Sequence, residues 1–108
     1  MSSAFSDREK AFEDKWAHDE ELRFRVLARR NNLLGHWAAE EMGLKGPTAD
    51  DYAKAIIRAE LTKEGDEAVF QKLRADFAAA NIARTDHLIH KKMDELLATA
   101  KNEVIHGG

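Results

Sequence analysis

The sequence predicts an all-α protein, a four-helix bundle with an N-terminal arm that is helical or partly disordered. Three observations carry this. From Phe5 to Met42 no proline interrupts the chain and no glycine does before Gly35, while apolar residues recur at helical spacing, so helix is the only regular structure the stretch supports. Three more apolar stripes follow at the same spacing, joined by short connections that favour antiparallel neighbours. The composition, 44% hydrophobic and 34% charged, suits a soluble helical protein. With 108 residues the chain makes one domain, long enough to bury about two thirds of its surface.

The first stretch carries two apolar faces. Phe5, Phe12 and Trp16 form one narrow stripe, and Leu22, Val26, Leu33 and Trp37 form a second, rotated from the first by roughly 60–100° at 100° per residue. The block His18, Asp19, Glu20, Glu21 lies between them. One straight helix cannot press both stripes on one core, so the sequence divides into an arm over residues 1–18 and a bundle over 19–108. Ser6 is the expected N-cap of the arm, with Glu9 as its capping-box partner. Glu9 and Glu13 repel at i, i+4, and an isolated helix below about 12–15 residues is marginal in water. The arm is therefore expected to flicker until something covers Phe5, Phe12 and Trp16.

The first bundle helix is expected from Asp19 to Met42, about 35 Å long at 1.5 Å per residue. Leu27 and Leu34 flank its stripe. Asp19 with Arg23 and Glu21 with Arg25 are spaced to pair along it. Gly43 is the expected C-terminal cap, and Gly46-Pro47 closes the turn. Thr48 is read as the cap of the next helix, whose buried face is Tyr52, Ala53, Ile56, Ile57 and Leu61. Gly65 ends that helix and Asp66 caps another, with the stripe Val69, Phe70, Leu73 and Phe77. Ile82 and Ala83 fall in a connection. Thr85 caps the last helix, with Leu88, Ile89, Met93, Leu96, Leu97, Ala100 and Val104 as its apolar positions.

The absence of cysteine removes disulfides and thiolate chemistry. Met1 to Lys15 is charged throughout, unlike a signal peptide, and no stretch approaches eighteen apolar residues. A net charge of −3 gives no global attraction to nucleic acid or anionic membrane. His87 and His90 stand at i, i+3 near Asp86 and Asp94, a spacing that can chelate a metal. No second ligand pair accompanies them, so they read as exposed helix-surface histidines, and no metal is expected. His18 and His36 are isolated. No phosphate-cradling glycine loop or nucleophile elbow is present, which argues against an enzyme. Arg29 and Arg30 form the one basic cluster. Two arginines can clamp a phosphate, although a solvated face with ion pairs is the plainer reading.

The runs DREKAFEDKWAHDEEL and ARRNNLLGHWAAEEMGLKG, with DDYAKAIIRAEL and GDEAVFQKLRADF after them, resemble the zeta-type inhibitor subunit of the alphaproteobacterial F-type ATP synthase. The resemblance spans most of the chain. It implies a small four-helix protein, a monomer when free, cytoplasmic and peripheral at the inner membrane through the synthase. Its N-terminal arm would enter the catalytic head between catalytic and non-catalytic subunits, near the rotor, and block ATP hydrolysis. Phe5, Arg8, Glu9, Phe12, Lys15 and Trp16 would then contact the partner. The resemblance also implies weak ADP or ATP binding, which points to Arg29 and Arg30, and no other cofactor. Trp16 stands where the family pattern has phenylalanine or tyrosine, and Val26-Leu27 where it has a more polar pair. A nucleotide-sensing helical protein and a non-inhibitory helical adaptor are the alternatives.

Overall fold

The computed structural model describes residues 4–107, with only the backbone described for residues 4–8. Five helices and no strand lie among the described residues: α1 (Ala4–His18), α2 (Glu20–Glu41), α3 (Gly46–Glu60), α4 (Asp66–Ala79) and α5 (Asp86–Gly107). Five helices stand where a four-helix bundle was expected: α1, the arm, is helical and folded back onto the other four.

One residue causes this. Asp19 lies between α1 and α2 in an extended conformation, φ −106° and ψ 107°, and its Oδ1 accepts from the Leu22 N–H at 3.0 Å as the N-cap of α2. A single extended residue breaks the helical phase. The rotation between the stripe of Phe12 and Trp16 and that of Leu22 and Val26 therefore does not hold them apart. They meet in one apolar cluster, with Leu22, Val26 and Ala100 buried and Phe12, Trp16, Leu97 and Val104 partly buried around them.

The larger cluster sits at the other end of α2. Leu34 and Ala38 pack there with Ile56 of α3, with Val69, Phe70, Leu73 and Phe77 of α4, and with Ile89 and Met93 of α5. The α4 stripe is the one the sequence predicts. On α2 the core line runs Leu22, Val26, Arg30, Leu34, Ala38 in steps of four, and all five are buried. Leu33 and Trp37, expected in that line, are half-buried beside it. Leu61, expected in the core of α3, is 60% exposed because α3 ends at Glu60.

α2 packs most extensively on α3. Gly35 permits this approach: a Cβ there would stand 2.5 Å from the Ala53 Cα. Two apolar clusters strung along α2 and α5 give an elongated body of 50 × 28 × 26 Å.

The helix ends follow local chemistry. α2 stops in a Schellman turn: Leu44 N–H donates to the Ala39 carbonyl at 2.8 Å and Gly43 N–H to that of Glu40 at 3.0 Å, with Gly43 at φ +79°. α3 begins at Gly46 with Pro47 in its first turn, which places Thr48 inside the helix and not at its cap. Asp66 is likewise the first residue of α4, after Gly65 as N-cap. Ser6 falls within α1, which begins at Ala4. Thr85 does cap α5, its Oγ1 accepting from Leu88 N–H at 3.0 Å. Arg84 pairs with Glu41 and so ties the last connection to the end of α2.

Candidate partner-binding surface

The arm residues are the first candidates. On α1 the positions Glu9, Phe12, Glu13 and Trp16 follow one another by three or four, so they lie on one side of the helix. That side faces α5. Phe12 and Trp16 rest on the smaller apolar cluster, as do Leu97 and Val104 of α5. Lys101 Nζ lies 3.2 Å and 3.4 Å from the two oxygens of Glu13 and 4.5 Å from the centre of the Trp16 ring. One cation thus holds two residues of α1, through an ion pair and through the negative face of an indole. Glu9 lines an open cleft of about 610 Å³ that remains between α1 and α5. Lys15 is exposed on another side of α1, in a shallow groove with Ala11, Asp14 and His18. The side chains of Phe5 and Arg8 lie outside the described residues.

From the sequence alone, Phe12 and Trp16 have nothing to cover them. The structure covers both in part. Leu97, Ala100 and Val104 were legible as apolar positions of α5. Lys101 was not, since nothing in its neighbourhood marks it as the partner of a residue 88 positions away.

Residues 1–103 match the family described as ATPase inhibitor subunit zeta. The chain belongs to that family. It is a regulatory protein and not an enzyme. No curated protein gives a match. Among the described residues, no helix is long and apolar enough to cross a membrane.

The second candidate in this zeta-family chain, the Arg29-Arg30 pair, is not brought together as a clamp. Arg29 projects outward and pairs with Glu103 of α5. Arg30 is 1% exposed and sits between the two apolar clusters. Its Nε donates to Asn31 Oδ1 at 2.6 Å, its Nη1 to the Met93 carbonyl at 3.5 Å, and its Nη2 to Glu60 Oε1 at 3.1 Å and Asp66 Oδ1 at 2.5 Å. The Arg30 guanidinium is therefore occupied by protein acceptors, and a phosphate would have to displace them. Asn31 completes the group, with Nδ2 donating to Glu60 Oε1 at 3.0 Å.

Two carboxylates around one guanidinium leave an excess negative charge, and the carboxyl groups divide the consequence. Burial, then the hydrogen bond and charge of Asp66, push Glu60 up to about 7 against the opposing pull of Asn31 and Arg30. Burial acts the same way on Asp66, but its hydrogen bond with Glu60 and the Arg30 guanidinium hold that carboxyl below the usual range. Glu60 is thus the carboxyl that takes up a proton as pH falls through neutral, and Asp66 the one that stays charged.

Two histidines have plain partners. His36 Nδ1 lies 2.9 Å from the Asn32 carbonyl and Nε2 lies 3.0 Å from Asp50 Oδ1. Both partners are acceptors, and only the imidazolium can donate to both. The Asp50 hydrogen bond and the Asn32 carbonyl accordingly raise the His36 pKa. His90 stacks on the Phe70 ring with centroids 4.0 Å apart.

Proposed function

We propose that this chain inhibits ATP hydrolysis by an F-type ATP synthase. Its arm, residues 1–18, inserts into the catalytic head between catalytic and non-catalytic subunits, while the bundle, residues 19–108, anchors it from outside. The observation that carries this reading is the family match over residues 1–103. The chemistry of the arm supports the mechanism. Phe12 and Trp16 supply apolar anchors, and burying an aromatic side chain contributes roughly 1.5–3 kcal/mol. Glu9 and Lys15, with Arg8, would set register in the cleft more than affinity. Phe5 would be the third anchor. A helix wedged in a cleft that must open and close each cycle blocks turnover sterically. The protein would act as a monomer, in the cytoplasm, at the inner membrane through the synthase.

No contact in the structure favours a nucleotide site at Arg29 and Arg30, because both cations are already paired. The test of the wedge is the double variant Phe12→Ala, Trp16→Ala against the isolated catalytic head. Hydrolysis should continue unchecked, with the melting of α2–α5 still cooperative. Inhibition equal to the parent's would move the inhibitory contact onto the bundle.

A further inference from the structure

We infer that α5 carries an autoinhibitory berth for α1, latched by Lys101, and that the arm must leave this berth before it can engage a partner. The inference rests on the proposed role of α1 in partner binding and concerns the regulation of that same surface. The aromatic side chains offered to the partner, Phe12 and Trp16, are the ones that pack on Leu22, Val26 and Ala100 within the chain. A side chain packed in that cluster is not free to be buried elsewhere, so docking on α2 and α5 and docking in a cleft exclude one another.

The berth has the features of a reversible contact. Its apolar part is small: Phe12 and Trp16 are only partly buried there. Its polar part centres, among the described residues, on Lys101, which reaches both Glu13 and the Trp16 ring. An open cleft of about 610 Å³ separates much of α1 from α5, lined by Glu9, Lys10, Glu13, Leu97, Lys101 and Ile105 among others. The pivot is already made, because Asp19 is an extended residue between two complete helices. Rotating about it moves α1 without unwinding α2. Removing the Lys101 charge therefore shifts the balance toward the released arm, and a ligand that binds only the released arm gains by the same factor.

The test uses the full chain with Lys101→Gln, which keeps the stem and removes the charge. Two readouts are taken, amide hydrogen exchange across α1 and inhibition of ATP hydrolysis by the isolated catalytic head. Exchange in α1 should quicken by roughly three- to tenfold, the size expected for losing one ion pair and one cation–π contact. Exchange in α4 should stay as in the parent. The concentration giving half inhibition should fall by a similar factor. Unchanged exchange in α1 would overturn the latch. Faster exchange with undiminished or weaker need for release, read as equal or poorer inhibition, would overturn the competition.

A second variant fixes the arm. Because the chain has no cysteine, Glu13→Cys with Lys101→Cys can be joined by a short bis-maleimide. The joined protein should lose inhibition, and the same variant capped singly with N-ethylmaleimide should keep it. A joined protein that inhibits fully would overturn the inference. A parent that does not inhibit at all removes the inhibitor reading alone, and exchange in α1 then decides the latch by itself.

Discussion

Replacing Glu60 by glutamine tests the physical account of the buried charge cluster. The protonated Glu60 accepts from Arg30 and Asn31 and donates to Asp66; a glutamine amide does the same with its oxygen and its NH2. The folded carboxyl titrates at about 7, above its ordinary value of 4.5. A carboxyl raised on folding gives stability that is full below its unfolded pKa and is lost as pH rises through the folded one. In the parent, stability should therefore fall between about pH 4.5 and pH 7.5. The shift as it stands would correspond to roughly 3 kcal/mol at 1.36 kcal/mol per pH unit. Solvent at the edge of the cluster and coupling to Asp66 reduce this to about 1–2 kcal/mol, or roughly 5–10 °C in melting temperature for a domain of this size. His36 titrates in the same direction and in an overlapping window, so the parent's slope alone does not isolate Glu60. The difference between parent and Glu60→Gln does. Asp66, held low, stays ionised throughout and adds nothing to the slope. Thermal unfolding at pH 4.5 and pH 8 should show Glu60→Gln more stable than the parent at pH 8 and nearly equal to it at pH 4.5. A variant with the parent's full slope, or one several degrees less stable at pH 8, would refute the assignment of the proton to this group.

Other consequences follow from the packing. Gly35→Ala would force a methyl to within 2.5 Å of the Ala53 backbone, which cannot swing aside as a side chain could. Overpacking of that kind costs about 1–3 kcal/mol, set against about 1 kcal/mol of gained helix propensity. A lower denaturation midpoint is expected, and an unchanged one would mean α2 and α3 separate freely. Arg30→Ala leaves two carboxylates facing each other without their cation and should cost about 3–5 kcal/mol, whereas Arg29→Ala, at an exposed pair, should change unfolding by less than about 1 kcal/mol. Titration of ADP into the Arg29→Ala variant, followed by amide shifts, should match the parent; a clear loss of response would restore Arg29 as a phosphate contact.

The helices were legible because their apolar stripes are long and their breaks carry glycine, proline or a capping residue. Thr85 acts as the cap it was read to be, Asp19 caps α2 where it was read as the first helical residue, and the α4 stripe of Val69, Phe70, Leu73 and Phe77 is the buried one. The α2 face was misread by one step because Arg30 occupies a core position. Hydropathy passes over a charged residue, so the apolar line jumps from Val26 to Leu33 and Trp37 instead of continuing through Arg30 to Leu34 and Ala38. Small residues deepen the error, since Gly35, Ala38 and Ala39 mark a close helix contact without adding to an apolar stripe. The carboxylate acceptors of Arg30 lie 30 and 36 positions away, beyond any local pattern. The arm's docking was hidden for a related reason. The angle between the two stripes holds only along one continuous helix, and one extended residue at Asp19 cancels it.

The central claim is that this zeta-family chain is an inhibitor and that residues 1–18 deliver the inhibition. It is tested most directly by titrating the full chain, and the chain lacking residues 1–18, into the isolated catalytic head of an F-type ATP synthase from the same source while ATP hydrolysis is followed. The full chain should suppress hydrolysis in a saturable manner, and the shortened chain should bind weakly and leave the rate as it was. Hydrolysis unaffected by a full chain that demonstrably binds, or suppressed equally by the shortened one, would contradict the claim.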